Sequence, residues 1–150
     1  MNSLTLKAAA AIALSSAAVV TGCGGDGGPK SYDDQVRETV TGYFAHVGNA
    51  EYSDACDELA STTQRVVADY AKKQLPGAKA NAAECAEVFK KVFKHTSKSK
   101  LAKLKKVKVA SVTFTGNGNN ATAKIKDAAL KLRLENIEGK WKISSLNFKD

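Results

Sequence analysis

Partway along this chain the spacing of apolar residues changes from a helical period of about 3.6 to a strand period of 2, and no single kind of element accommodates both. Val36, Val40, Tyr43, Phe44 and Val47 share one helical face, and Cys85, Val88, Phe89 and Val92 share another. From Leu104 onward the alternation is that of a strand: Val107 and Val109 are interleaved with Lys106 and Lys108. Helices first and strands afterwards predict an α+β domain, with the helices packed on one face of an antiparallel sheet.

Local signals divide the two halves. Ser31-Tyr32-Asp33-Asp34 reads as a capped helix start, and Gly48-Asn49 as its stop. A short helix over residues 53–59 carries Cys56. Ser61-Thr62-Thr63-Gln64 has the capping-box pattern and opens a helix that Pro76-Gly77 ends, and Asn81-Ala82-Ala83-Glu84 opens a fourth. In the second half, Val112 and Phe114 take the opposite parity to Val107 and Val109, which predicts a β-bulge at Ala110 or Ser111. Gly116-Asn117-Gly118-Asn119-Asn120 is a turn. Ala121, Ala123 and Ile125, then Leu130, Leu132 and Leu134, then Trp141 and Ile143 continue one apolar face, and Leu146 and Phe148 slip phase again. Four strands joined by short loops predict a bent antiparallel meander.

Ahead of this domain, residues 1–22 hold a single charge, Lys7, then an apolar run and small residues. The run from Ala8 to Thr21 falls short of the roughly 20 residues a membrane-spanning helix needs, and the pattern is that of a secretory signal peptide. Val20-Thr21-Gly22-Cys23 resembles the lipobox of bacterial lipoproteins, an aliphatic residue and two small residues before a cysteine. That resemblance implies cleavage before Cys23 and a diacylglyceryl group on its thiol, with acyl chains such as palmitate holding the chain on the outer side of the bacterial cell membrane. The alternative is an ordinary signal peptide cut near Ala17-Ala18, with Cys23 a chance residue. The expected organisation is therefore a leader over 1–22, a lipidated cysteine and glycine-rich tether over 23–30, and one domain over 31–150. The seven tether residues from Gly24 to Lys30 would span about 15 Å, keeping the domain close to the membrane.

Export would place Cys56 and Cys85 in an oxidising compartment, and with Cys23 lipidated they are the remaining pair. A bridge between them is expected, closing a loop worth roughly 3–4 kcal/mol. His46 and His95 are the only histidines and form no compact spacing with cysteine, so no metal site and no cofactor are expected.

A long first helix, a short second one in "EYSDACDEL", a bent sheet and the closing "EGKWKISSL" resemble the nuclear-transport-factor-2-like superfamily. The resemblance covers about residues 31–149. It implies a cone-shaped α+β roll, in which enzymes keep an acid, a tyrosine or a histidine inside the cone. The inward strand positions here hold apolar residues that exchange no proton at neutral pH. The weak catalytic candidates are Asp127, at a strand end, His46, toward the rim of its helix, and Tyr43, which with Tyr70 reads as an amphipathic core residue.

Charge is more informative. The net charge is +8, and residues 26–58 carry eight acids and two bases. Between Glu87 and Asp127 lie eleven lysines and no acid. Lys106, Lys108, Lys124, Lys126, Lys131, Arg133, Lys140 and Lys142 all oppose the apolar parity, so the sheet should have one oily and one cationic face. The plain reading is a solvated face whose lysines discourage edge pairing. The sharper reading is an anionic partner: lipid headgroups, a wall polymer, or the acidic half of a neighbouring copy. Nucleic acid is not expected, because no aromatics for base stacking are interleaved with these lysines. The expected function is a membrane-anchored, non-catalytic binding module of the cell envelope. The alternative is a small-molecule enzyme of the isomerase, cyclase or hydrolase kind using the cone pocket.

Overall fold

The computed structural model describes residues 29–74 and 85–147. The leader, Cys23, most of the tether, Pro76-Gly77, residues 81–84 and Phe148 lie outside the described residues. The element order is helices first, then strands, so the architecture is α+β as the period change predicts.

Helix α1 spans Tyr32–Asn49. Ser31 caps it as expected, its Oγ accepting from the Asp34 N–H at 3.2 Å, which satisfies one of the first-turn donors. Val36, Val40, Tyr43, Phe44 and Val47 are all buried. The expected stop at Gly48-Asn49 is displaced by one residue: the helix continues through Gly48, and Ala50 takes the left-handed conformation (φ 62°) that closes it. Gly48 has a different use. A β-carbon there would lie 2.8 Å from the carbonyl oxygen of Leu101, on a helix that sequence periodicity did not reveal.

That helix is α5, Lys98–Leu104, which follows α2 (Tyr52–Asp57), α3 (Ser61–Gln74) and α4 (Cys85–Phe93). Ser97 caps α5, accepting from the Lys100 N–H. The strand alternation expected from Leu104 therefore begins only at Val109, and Lys106 lies in a turn rather than on the sheet. With one leucine pair among its lysines, this segment has too few apolar residues to announce a helix; its position against α1 stabilises it. Gln64 also departs from the capping-box expectation. Its side-chain amide donates to the carbonyls of Cys56 and Leu59, tying the start of α3 back to α2. The expected disulfide is present: Cys56 on α2 bonds to Cys85 on α4. On α4, Val88 and Phe89 are buried as expected but Val92 is exposed, and Phe93 packs inward in its place.

The sheet is a meander in the order β1-β2-β3-β4: Val109–Thr115, Asn120–Ile125, Lys131–Ile137 and Lys140–Asn147, antiparallel throughout. The predicted bulge is there. Val109 pairs with Ile125 and Ser111 with Lys124, leaving Ala110 as the extra residue. Beyond it Val112 and Phe114 pair with Ala123 and Ala121, bulky opposite small, all on the core side. The second phase slip is a bulge at Ser144, since Arg133 pairs with Ser145 and Leu134 with Ile143. Glu138 (φ 52°) and Gly139 (φ 82°) form the two-residue turn between β3 and β4, whose paired positive φ values match the twist of the strands it joins.

The core lies between α1 and the inner sheet face, where Leu132, Leu134, Trp141 and Ile143 meet the α1 valines. Edge-to-face rings extend it. Trp141 sits 5.8 Å from Tyr32 and 5.7 Å from Phe114, and Tyr43 sits 6.3 Å from Phe89. The β4 edge is partly covered by the α2–α3 junction, where Ile143 donates to the Glu58 carbonyl and accepts from the Ala60 N–H, both at 2.9 Å. Among the described residues, no helix is long and apolar enough to cross a membrane.

Candidate functional site

Two surfaces carry chemistry. The first is the outer sheet face. Side chains alternate across a strand, so residues opposite the core set must point away from the helices. Lys124 lies directly across from Lys131, and Arg133 is two residues further along β3. Lys108 and Lys126 extend the row where the Lys126 N–H donates to the Lys108 carbonyl at 2.8 Å. All five are exposed. Like charges placed directly across a pair of strands cost stability rather than supply it. Among the described residues none of these five forms an ion pair, and no element covers this face. Lys140 and Lys142 share the parity but stand at the β4 edge, where Glu135 pairs with Lys142. Of the eight expected basic residues, five lie on the strands, Lys108 and Lys126 flank the ends of β1 and β2, and Lys106 leaves the sheet.

The second surface is a cleft of about 510 Å3 between α1 and the β4 edge. Gln35, Glu38, Thr39, Gly42 and His46 form its helical wall, Gly139, Lys140, Trp141 and Lys142 its strand wall, and Glu58 one end. The Thr39 hydroxyl donates to the Trp141 carbonyl at 3.4 Å, fixing the helix against the strand. Gly42 lies beside Glu58: a β-carbon at that position would stand 3.9 Å from the Glu58 Oε1, an ordinary contact. Glu58 is half-buried, and burial raises its carboxyl above the ordinary range, offset in part by the charges of Lys142 and His46. Its carboxylate accepts no hydrogen bond among the described residues. His46 is engaged on its other side, with Nδ1 2.8 Å from Glu51 Oε2. That contact and the Asn49 amide lower the Glu51 carboxyl below its usual range.

The three catalytic candidates are not brought together. Asp127 is exposed, with φ 58° in the turn after β2. Tyr43 is buried among Phe44 and Phe89, and burial alone raises its phenol far above the ordinary value. Tyr70, expected in the core, is exposed on α3. Only His46 reaches the cleft, at its rim. Sequence reasoning missed Glu58, because nothing in "CDELA" says that the residue before Leu59 will be drawn against strand β4, which begins 82 residues later. His46, Glu51 and Asp54 bring three potential ligand atoms within 4.8 Å of one another; His46 is half-buried and pairs with Glu51, and both acids are exposed.

Searches against protein-family models, curated proteins and solved structures found no match to this chain.

Proposed function

We propose that this protein is a lipid-anchored binding module of the bacterial cell envelope, held on the outer side of the membrane through Cys23 and meeting an anionic surface with its outer sheet face. The order of helices and meander is compatible with a nuclear-transport-factor-2-like roll serving as a scaffold rather than as an enzyme. The observation that carries the reading is the uncompensated cross-strand pair Lys124–Lys131 beside Arg133 on an uncovered face. A fold with no use for that field would gain by placing a neutral or acidic residue at one of the two positions. Each basic residue brought near an anionic headgroup contributes about 1 kcal/mol, an attraction that salt screens beyond about 8 Å at physiological strength.

The test has two arms. Lys124, Lys126, Lys131 and Arg133 replaced together by Gln should leave the fold intact, since all four are exposed, and should abolish salt-sensitive binding to phosphatidylglycerol vesicles. Equal binding by variant and wild type would reduce the face to solvation. In cells, Cys23→Ser should yield unprocessed or soluble protein, because a hydroxyl forms no thioether. Retention at the membrane in that variant would remove the anchor from the proposal.

A further inference from the structure

The cleft at the β4 edge has a charge pattern unlike that of the sheet face. Its acids, Glu38 and Glu58, belong to the helical wall and its end, whereas its lysines, Lys140 and Lys142, belong to the strand wall. Opposite charges facing each other across a gap ordinarily close it with ion pairs, but here the ionic partners are drawn elsewhere. Glu38 pairs with Lys30 at 2.6 Å, outside the cleft, and Lys142 donates to the Asp57 carbonyl. The side chains of Glu58 and Lys140 make no hydrogen bond or ion pair among the described residues. Of the other lining polar groups, Gln35 donates to the Lys30 carbonyl, Thr39 donates to that of Trp141 and His46 faces Glu51, whereas the buried Trp141 Nε1–H has no partner among the described residues. The fold therefore holds one carboxylate, reached by Lys142 and His46 only through longer-range charge, and one ammonium without a direct partner among the described residues, both lining a cavity whose volume falls in the range of small-molecule sites, about 300–1,000 Å3.

We propose that this cleft binds a small zwitterion of the amino-acid or short-peptide class, with the ligand's ammonium against Glu58 and its carboxylate against Lys140. A polyanion is disfavoured by the two glutamates, a bare metal cation by the two lysines, and a lipid tail by the polar lining. A zwitterion answers both charges at once and reverses the dipole of the walls. Half-burial of Glu58 strengthens an ammonium contact there, because the surrounding dielectric is lower than that of water. The cleft contains none of Lys124, Lys126, Lys131 and Arg133, on which the sheet-face test rests, so either proposal can fail alone.

The experiment is a titration of 15N-labelled protein with L-alanine and with L-alanyl-L-alanine, set against ethylamine, acetate and glucose at matched ionic strength. One of the two zwitterions should shift the amides of Thr39, Gly42, Glu58, Gly139 and Lys142 saturably, with Kd of about 1 mM or tighter. Ethylamine and acetate, each carrying half the charge pair, should bind at least about tenfold more weakly, and Glu58→Gln and Lys140→Gln should each weaken the zwitterion by about tenfold. Both variants are expected to fold, as unchanged amide spectra away from the cleft would verify. The proposal is overturned if neither zwitterion shifts these amides, if ethylamine or glucose binds as well as dialanine, or if the two variants bind it unchanged.

Discussion

Helix α1 contains two glycines, Gly42 in its interior and Gly48 in its last turn, whose replacement by alanine should move stability in opposite directions. In a helix interior, glycine costs about 1 kcal/mol relative to alanine, so with free space around the new methyl group either substitution would stabilise by that amount. At Gly42 the nearest atom to an added methyl group is Glu58 Oε1 at 3.9 Å, an ordinary contact, so Gly42→Ala should stabilise by roughly 0.5–1 kcal/mol. At Gly48 the methyl would meet Lys105 Cγ at 2.6 Å and the Leu101 carbonyl oxygen at 2.8 Å. The lysine chain can swing aside. The carbonyl belongs to the backbone of α5 and yields only if the whole helix shifts. Overpacking of that kind costs about 1–3 kcal/mol, which exceeds the propensity gain, so Gly48→Ala should destabilise by about 1–2 kcal/mol. Urea melts of the wild type and both variants, with unchanged m-values, would show the midpoint rising for one and falling for the other. A stabilised Gly48→Ala protein would mean that α1 and α5 do not approach this closely.

Reduction of the Cys56–Cys85 bridge, or Cys56→Ser with Cys85→Ser, should cost roughly 3–4 kcal/mol and lower Tm by about 10–20 °C in calorimetry; peptide mapping that finds both thiols free in protein recovered from an oxidising compartment would refute the pairing. Glu58 should show an inverted pH dependence. Its folded carboxyl titrates above its unfolded value, so the native state holds the proton more tightly, and the cost of the buried charge is fully present at neutral pH and relieved as pH falls through the raised value. Glu58→Gln should therefore be more stable than wild type near pH 7, with the advantage shrinking toward about pH 4 in paired thermal melts. Glu51, whose carboxyl is lowered by His46 and Asn49, should behave oppositely: its contribution is present above the ordinary carboxylate value and lost as pH falls through the lowered one, so Glu51→Gln should be destabilising at pH 7.

The sequence carried the fold wherever the signal was local. The valine spacing of α1, the serine cap, the parity slips at Ala110 and Ser144 and the turn before Gly139 each depend on neighbours a few residues away, and each is found where the residues put it. What escaped depends on distant partners. Helix α5 is held by α1 rather than by its own propensity, so its lysines read as the approach to a strand. Val92 fits the apolar face of α4 by period, and Tyr70 reads as a core residue, yet both are exposed; on α4 Phe93 packs inward instead. The cationic sheet face was legible, since parity alone defines it. The cleft was not: Glu58, Gly42 and Lys140 meet only after three separate elements have packed.

The bridge between Leu59 and Ile143 joins positions 84 residues apart, and Ile143 is on the last strand. A chain emerging from its N-terminus can build α1, α2 and α4, and can oxidise Cys56 to Cys85, before any of β4 exists. Until that strand arrives, the α2–α3 junction lacks the partner for its Glu58 carbonyl and Ala60 N–H, and the valines of α1 lack Trp141 and Ile143. Closure of the sheet edge is thus a long-range, late event, slow by the loop entropy it must overcome. A chain cut short before Lys140 would therefore leave the α1 valines without the β4 side of their core, with apolar surface open to chaperones and proteases.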